Sequence, residues 1–332
     1  MTQLRAAIIG CGNVGSEYTT LLTLPGVQSH AHAYTEHPGT QLVAVCDIDP
    51  QKAQRCATQW EVPHWYSDHR EMLQATEPDV VSICTPDDSH TSIGMDVLQT
   101  KSVRGIFCEK PLDTDLEKAR QLVEASARQE VALAVNYIRR FDSAFMELKR
   151  QVQQGEFGTI QAVSGYYGKG LLHNGTHWLD LLRYLFGEVA WVEGSMTDFS
   201  FEDDTTYNAW FGMQSGFNAF LHGTDHTAFT LFEMDIVSSI QRAHLTQGGR
   251  LISYYARQAS DVIPDDYGLG AEPFATATAL ETPVLDGVSN LVTHLEGKGE
   301  LACTGNDGVS ALEIAQAVQL SAQIGARVNL VH

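Results

Sequence analysis

The feature that most constrains this chain is the run Gly10-Cys11-Gly12-Asn13-Val14-Gly15, because an apolar strand, LRAAIIG, leads into it and a helix from about Val14 leads out. Glycine-rich turns are common, and the spacing alone would mean little. In a strand–loop–helix setting each glycine does something different. The first permits the tight turn, the second lets backbone approach a pyrophosphate, and the third allows close helix–strand packing. Amides at a helix N-terminus then hold the phosphates. Such a loop works at the edge of a parallel sheet, so the sequence around it should supply one.

It does. Short apolar stretches (QLVAVCD, VPHWY, DVVSICT, VRGIFCE and VALAVNY) alternate with amphipathic ones (PQKAQRCATQW, DHREMLQA, SHTSIGMDVLQ and DLEKARQLVEASARQ). Right-handed crossovers then predict an α/β Rossmann domain with a doubly wound parallel sheet over residues 1–135. Residues 136–332 change texture. DSAFMELKRQVQQ reads as a helix, Gly155 and Gly158 as a turn, and TIQAVSGYYG as a strand. GTHWLDLLRYLFG is a helix with Trp178, Leu181, Leu182 and Leu185 on one apolar face. VAWVEGSM, TTYNAWFGM, GFNAFLHG, TLFEMDIVSS and GRLISYY follow as strands, and 256–282 reads as a loop. The expectation is an α+β domain built on a mostly antiparallel sheet. VLDGVSNLVTHLEG and GVSALEIAQAVQLSAQIG close the chain as helices, the last able to pack back on the Rossmann domain.

A length of 332 residues suits two domains. With 21 basic and 41 acidic residues the formal charge is −20, which argues against nucleic acid or an anionic membrane as partner. An anionic cofactor held by local backbone amides remains compatible with it. The N-terminus reads as a strand and not as a secretory signal, and no run approaches the roughly 18 apolar residues of a membrane span. The six cysteines stand singly, with no C-x-x-C pair, so neither a disulfide framework nor a cysteine zinc site is expected. A reducing cytoplasm is the expected home. Cys46, Cys84 and Cys108 read as small buried hydrophobes near strand ends.

The cofactor expectation centres on Gly10, Gly12, Asn13, Val14 and Gly15, with Asp47 at the end of the second strand and Ile48 beside it. A carboxylate there accepts hydrogen bonds from the adenosine ribose and repels a 2′-phosphate, so NAD is expected and NADP disfavoured. Asp47 lies about 30 residues past the glycines, against about 20 in the usual pattern. LPGVQSHAHAYTEHPGTQ, read as a longer connection with His30, His32 and His37 in a polar loop, explains the gap. Asp49 competes for the role from one step further into the loop. Thr85, Pro86 and His90 end the fourth strand, and Glu109 and Lys110 the fifth. Ligands of open α/β sheets bind beyond those ends, so these residues are expected at the nicotinamide half. An ammonium such as Lys110 can stabilise a developing alkoxide.

Taken together, GCGNVG, VAVCD, CTPDDSH, CEKP, AVNYIRRFD, HNGTHWLDLLRYLFG and the closing GNDGVSALEIAQA resemble the glucose–fructose oxidoreductase / inositol dehydrogenase / MocA (Gfo/Idh/MocA) family over nearly the whole chain. The resemblance implies NAD(P) chemistry on sugars, sugar nucleotides, cyclitols and similar polyols. It also implies that 136–332 is a domain for substrate binding and oligomerisation with an open, mostly antiparallel sheet, and that such sheets meet in homodimers or homotetramers. By position, Lys110 resembles the lysine that contacts the reacting hydroxyl, His177 the second-domain acid/base, and Asp180 the acid one turn later. Tyr137, Arg140, His173 and Asn174 fall on motif positions expected to meet substrate. Many members carry Asp where this chain has His173.

His173, His177 and Asp180 also admit a zinc reading, but H-E-x-x-H is absent and the Asn174-Gly175 step sets the helix start near Thr176, so no metal is expected. That helix N-terminus, with His177 facing the nicotinamide across a cleft, is expected to point toward substrate. His222 and His226 read as ordinary polar residues. The leading function is hydride transfer between nicotinamide and a hydroxyl-bearing carbon. The alternatives are NAD-dependent glycoside cleavage by oxidation and elimination, and a non-catalytic NAD(P)-binding regulator.

Overall fold

A computed structural model describes residues 3–21 and 26–330. Leu24 and Pro25, at the start of the predicted long connection, and the first two residues of the N-terminal stretch lie outside the described residues. The chain forms two compact units: Met1–Phe141 with Glu281–Val309, and Asp142–Leu280 with Ser310–His332.

In the first unit, β1 (Leu4–Ile9) runs through the glycine loop into a π-helical turn, Asn13–Glu17, and the short α1 (Tyr18–Leu21). A further helix, α2 (His30–Glu36), precedes β2 (Thr40–Cys46). Then come α3 (Pro50–Gln59), β3 (His64–Tyr66), α4 (His69–Thr76), β4 (Val80–Ile83), α5 (His90–Val97), β5 (Gly105–Cys108), α6 (Leu116–Arg128) and β6 (Ala132–Val135). The strands lie in the order β3-β2-β1-β4-β5-β6, all parallel. β4 and β5 are buried throughout, as strands covered on both faces must be. The helices start on side-chain caps: Asp49 accepts from Gln51 N, Asp68 from Arg70 N, and Asp115 from Glu117 N and Lys118 N. The strand order reverses at β1, with β2 on one side and β4 on the other. Such a switch point leaves a crevice beyond the C-terminal strand ends.

The long connection differs from expectation. His30 and His32 belong to α2, capped by Ser29, and are not in a polar loop; His37 sits at its C-terminal cap. His30 is fully buried, as are Ala31 and Ala33, with Tyr34 almost so. The helix buries small and polar side chains, which leaves no apolar period to read.

The second unit starts with α7 (Ser143–Gln153), β7 (Ile160–Tyr167) and α8 (Thr176–Phe186). The strands β8 (Val189–Phe201), β9 (Asp204–Met213), β10 (Asn218–Gly223), β11 (Phe232–Ser238), β12 (Gln241–Thr246) and β13 (Leu251–Ala259) follow. β14 (Tyr267–Leu269) and β15 (Ala275–Thr278) fall within the stretch expected as a loop, and β12 is a strand beyond those expected. After α9 (Pro283–Leu295), which belongs to the first unit, α10 (Gly305–Ile324) leads to β16 (Val328–Asn329). The sheet runs β14-β13-β12-β11-β7-β10-β9-β8-β16 with β15 on β13, antiparallel except for β7 with β10. Val163, Phe211, Leu221, Met234, Ile236 and Leu245 are buried on one face. Trp178 of α8 stacks on Phe211 with ring centres 6.0 Å apart and donates to Glu233 O. The other face exposes Tyr166, Trp210 and Phe220.

Candidate active site

The glycine loop follows β1 at the switch point. Gly10 has φ of +99°, and a Cβ there would lie 2.4 Å from the Cys84 carbonyl oxygen. A Cβ on Gly15 would lie 2.1 Å from Gly10 O, so both positions require glycine. Gly12 is different: a Cβ there meets nothing within 4 Å, so space opens in front of the loop. Ser16 N and Glu17 N both donate to Gly12 O, and no side chain caps this end. The start of the helical segment is therefore open to an anion. Just past β2, Asp47 Oδ2 accepts from Cys11 N at 2.8 Å and Oδ1 from Asp49 N at 2.9 Å. This bracing favours Asp47 over Asp49, whose own carboxylate caps α3. Ile48 beside it is 92 % exposed. A cradle that excludes Cβ atoms, a helical start without a side-chain cap and a braced carboxylate fit a dinucleotide.

The turns after β4 and β5 lie two and three strands from β2 along the same sheet. His90 is fully buried, with Nδ1 2.8 Å from Pro111 O and Nε2 2.8 Å from Thr85 O. Its ring thus ties the two turns together. Thr85 Oγ1 accepts from Ser89 Oγ at 2.8 Å, and Lys110 itself is half-buried. Glu109 turns inward, against expectation: its carboxylate takes bonds from His30 Nε2 at 2.9 Å and Asn136 Nδ2 at 2.6 Å. Burial pushes the Glu109 carboxyl up, but His30, Lys110 and Asn136 together hold it below its ordinary value. Asp87, which the motif reading passed over, goes the other way: burial raises its carboxyl despite the opposing charges of Lys110 and His90. Burial and the Glu109 charge raise the Tyr18 hydroxyl against a hydrogen bond with Asn13.

A family profile described as "Oxidoreductase family, NAD-binding Rossmann fold" matches residues 4–137. The chain is 25% identical to the inositol 2-dehydrogenase of Rhizobium meliloti (strain 1021) over 95% of each chain. It is 30% identical to the D-glucoside 3-dehydrogenase of Escherichia coli (strain K12) over 55% of this chain and 54% of that one. The chain is thus similar to the Gfo/Idh/MocA oxidoreductases, and its residues 4–137 carry their NAD-binding Rossmann domain. At the level of fold, it superposes on the WlbA dehydrogenase from Bordetella pertussis, crystallised with NADH and UDP-GlcNAcA, with a TM-score of 0.78 at 21% identity, covering 99% of both chains. Residues 4–137 of the first unit accordingly form an NAD-binding Rossmann fold.

Other residues expected at the site have varied surroundings. Arg140 is buried in the first unit, ion-paired to Asp307 at 3.1 Å and donating to Ala302 O. Tyr137 is 1 % exposed. In the second unit, a π-helical turn over Gly170–Gly175 runs straight into α8, and Thr176 Oγ1 donates to Leu172 O. The α-helix begins at Thr176, as expected, but a π-helical turn over Gly170–Gly175 precedes it and Gly175 already has helical φ and ψ. His173 donates its amide to Asp204 Oδ2 and sets its ring 4.9 Å from Phe201. Asn174 Nδ2 donates to Gly168 O. His177 is half-buried with its ring edge-on to Phe232, and Asp180, one turn on, is 1 % exposed. His222 stacks near Tyr166 and His226 meets the edge of Phe201. The cysteines are unpaired thiols; Cys46 and Cys108 are buried and Cys84 half-buried, all at strand ends.

Proposed function

We propose that this enzyme moves a hydride between NAD and a hydroxyl-bearing carbon of a sugar, sugar derivative or cyclitol. The observation that carries the reading is the sharing of one sheet edge. The glycine loop follows β1, and Lys110 follows β5, with β4 alone between them. The relatives' substrates, an inositol and a glucoside, support a polyhydroxylated ring as the substrate class. When bound, NAD supplies the hydride acceptor. Asn13 and Val14 amides would hold its pyrophosphate and Asp47 its adenosine ribose. Thr85 and Pro86 would border the nicotinamide. Lys110 would bind the reacting oxygen and stabilise its negative charge as the C–H bond breaks. His177 would exchange the hydroxyl proton, with Asp180 bracing it, and His173 and Asn174 would contact substrate. The second unit, Asp142–Leu280 with Ser310–His332, would supply the contacts of a homodimer or homotetramer, in a cytoplasmic enzyme.

The test is NADH formation by the purified protein across sugars, uronates, cyclitols and sugar nucleotides, repeated with Lys110→Met. A substrate should emerge from the screen, and the variant should lose roughly 10²–10⁴-fold in turnover while binding NAD almost normally. Near-normal turnover in the variant would remove Lys110 from the chemistry. Silence across the whole panel would remove the substrate class.

A further inference from the structure

Behind Lys110 lies a buried polar chain that the reading above does not use. Tyr34 Oη is 2.8 Å from Ser82 Oγ, Ser82 Oγ is 2.8 Å from His30 Nδ1, and His30 Nε2 is 2.9 Å from Glu109 Oε1. One assignment of protons satisfies every link. Tyr34 donates to Ser82, Ser82 donates to His30 Nδ1, and His30 Nε2–H donates to the carboxylate. Asn136 Nδ2 donates to the same oxygen, and Lys110 N donates to Glu109 Oε2 at 3.3 Å. His30 and Ser82 are fully buried, Tyr34 is 1 % exposed and Phe107 packs against the His30 ring. A carboxylate so far from water is costly unless fully hydrogen-bonded, and its neighbour in sequence is the one cation of the turn.

We propose that His30 is a positioning residue for the Lys110 turn, acting through Glu109. Its imidazole keeps that carboxylate ionised and in one orientation, so that the charge behind Lys110 and the backbone that carries it are both fixed. The titratable groups facing Glu109 include His30 from α2, Lys110 from its own turn, Asp87 and Cys84 after β4, Cys108 at the end of β5 and Tyr18 of α1. Of these, His30 gives the carboxylate its side-chain hydrogen bond from an ionisable group. With His30 gone, burial outweighs what remains, and the carboxyl takes up a proton as pH falls. Ionised Glu109 is the form present at high pH, so the defect appears on the acid side.

The experiment uses the full chain with and without NAD. In His30→Leu, infrared spectra should show a protonated-carboxyl band that grows as pH falls. The band should be absent from the wild type and from His30→Leu/Glu109→Gln. In protein with ¹³C-methylated lysines, the Lys110 resonance, assigned by its loss in Lys110→Met, should move with that band. His30→Gln, whose amide can donate in place of Nε2, should restore both signals. Turnover of myo-inositol or methyl glucoside should fall roughly 10- to 100-fold in kcat, with KM for NAD little changed. This last arm rests on the proposed redox function; the two spectroscopic arms do not, so a wild type inactive on both compounds leaves them decisive. If His30→Leu fails to fold, Glu109→Gln replaces it and should displace the Lys110 resonance at every pH. A Glu109 that stays ionised in His30→Leu, or a Lys110 resonance indifferent to either substitution, overturns the proposal.

Discussion

Asp47 illustrates how a single carboxylate can be both structural and selective. Each oxygen already accepts one loop amide, from Cys11 and from Asp49, and each has a lone pair left. Ribose hydroxyls can donate to those lone pairs, whereas a 2′-phosphate would bring like charge to the same spot. NAD should therefore bind at least about tenfold tighter than NADP, and Asp47→Ala should weaken NAD by roughly 10- to 100-fold while narrowing the gap. Calorimetric titration of both cofactors against both proteins measures this; equal affinities in the wild type would contradict it. At this scale the sequence is a partial guide. It marks Asp47 because a strand end has a defined place. It does not mark which way His90, Glu109 or Arg140 point. All three sit on motif positions, yet they turn into buried contacts with Pro111 O, His30 and Asp307. The partners lie 21, 79 and more than a hundred residues away, beyond any local pattern.

Among the elements, α7 depends on one acid. Asp142 Oδ1 accepts from Ala144 N and Phe145 N at its start, and Oδ2 accepts from Leu280 N at 2.7 Å. The side chain thus caps the helix and fixes a backbone amide from 138 residues away in sequence. Asp142→Ala should cost about 2–4 kcal/mol, a lost cap plus a buried amide left without a partner. Urea denaturation reads this directly, and a loss under about 0.5 kcal/mol would show that water replaces the carboxylate. The elements legible in the sequence share a strong local signal, either an apolar run such as β4 and β5 or a 3.6-residue stripe such as α8. α2 lacks one, because its buried face is His30, Ala31, Ala33 and Tyr34. β12 lacks one too, because QRAHLT carries only Ala243 and Leu245 inward. β14 and β15 are three and four residues long and mostly exposed, held by pairing with β13 and not by burial.

For the whole molecule, the open face of the second-unit sheet is the feature still without a role. Phe220 of β10 is directly opposite Trp210 of β9, their rings stacked 5.2 Å apart, and Trp191 meets Trp210 edge-on at 5.5 Å. Tyr166 and His222 continue the aromatic surface across β7 and β10. Tyr166, Trp210 and Phe220 are 46, 36 and 38 % exposed, and contiguous apolar patches of this kind mark association surfaces. A charge of −20 on every copy opposes self-association, so the patch must overcome a repulsion that salt screens. The expected outcome is a symmetric oligomer at micromolar concentration that tightens as salt rises. Trp210→Glu combined with Phe220→Glu would place two further acids on each side of the contact and should leave monomers that still bind NAD, since the dinucleotide fold belongs to the other unit. Sedimentation velocity on both proteins at low and high salt tests it. A wild type that is monomeric at both salts, or a double variant that assembles as the wild type does, would mean that this aromatic face serves something other than a second copy of the chain.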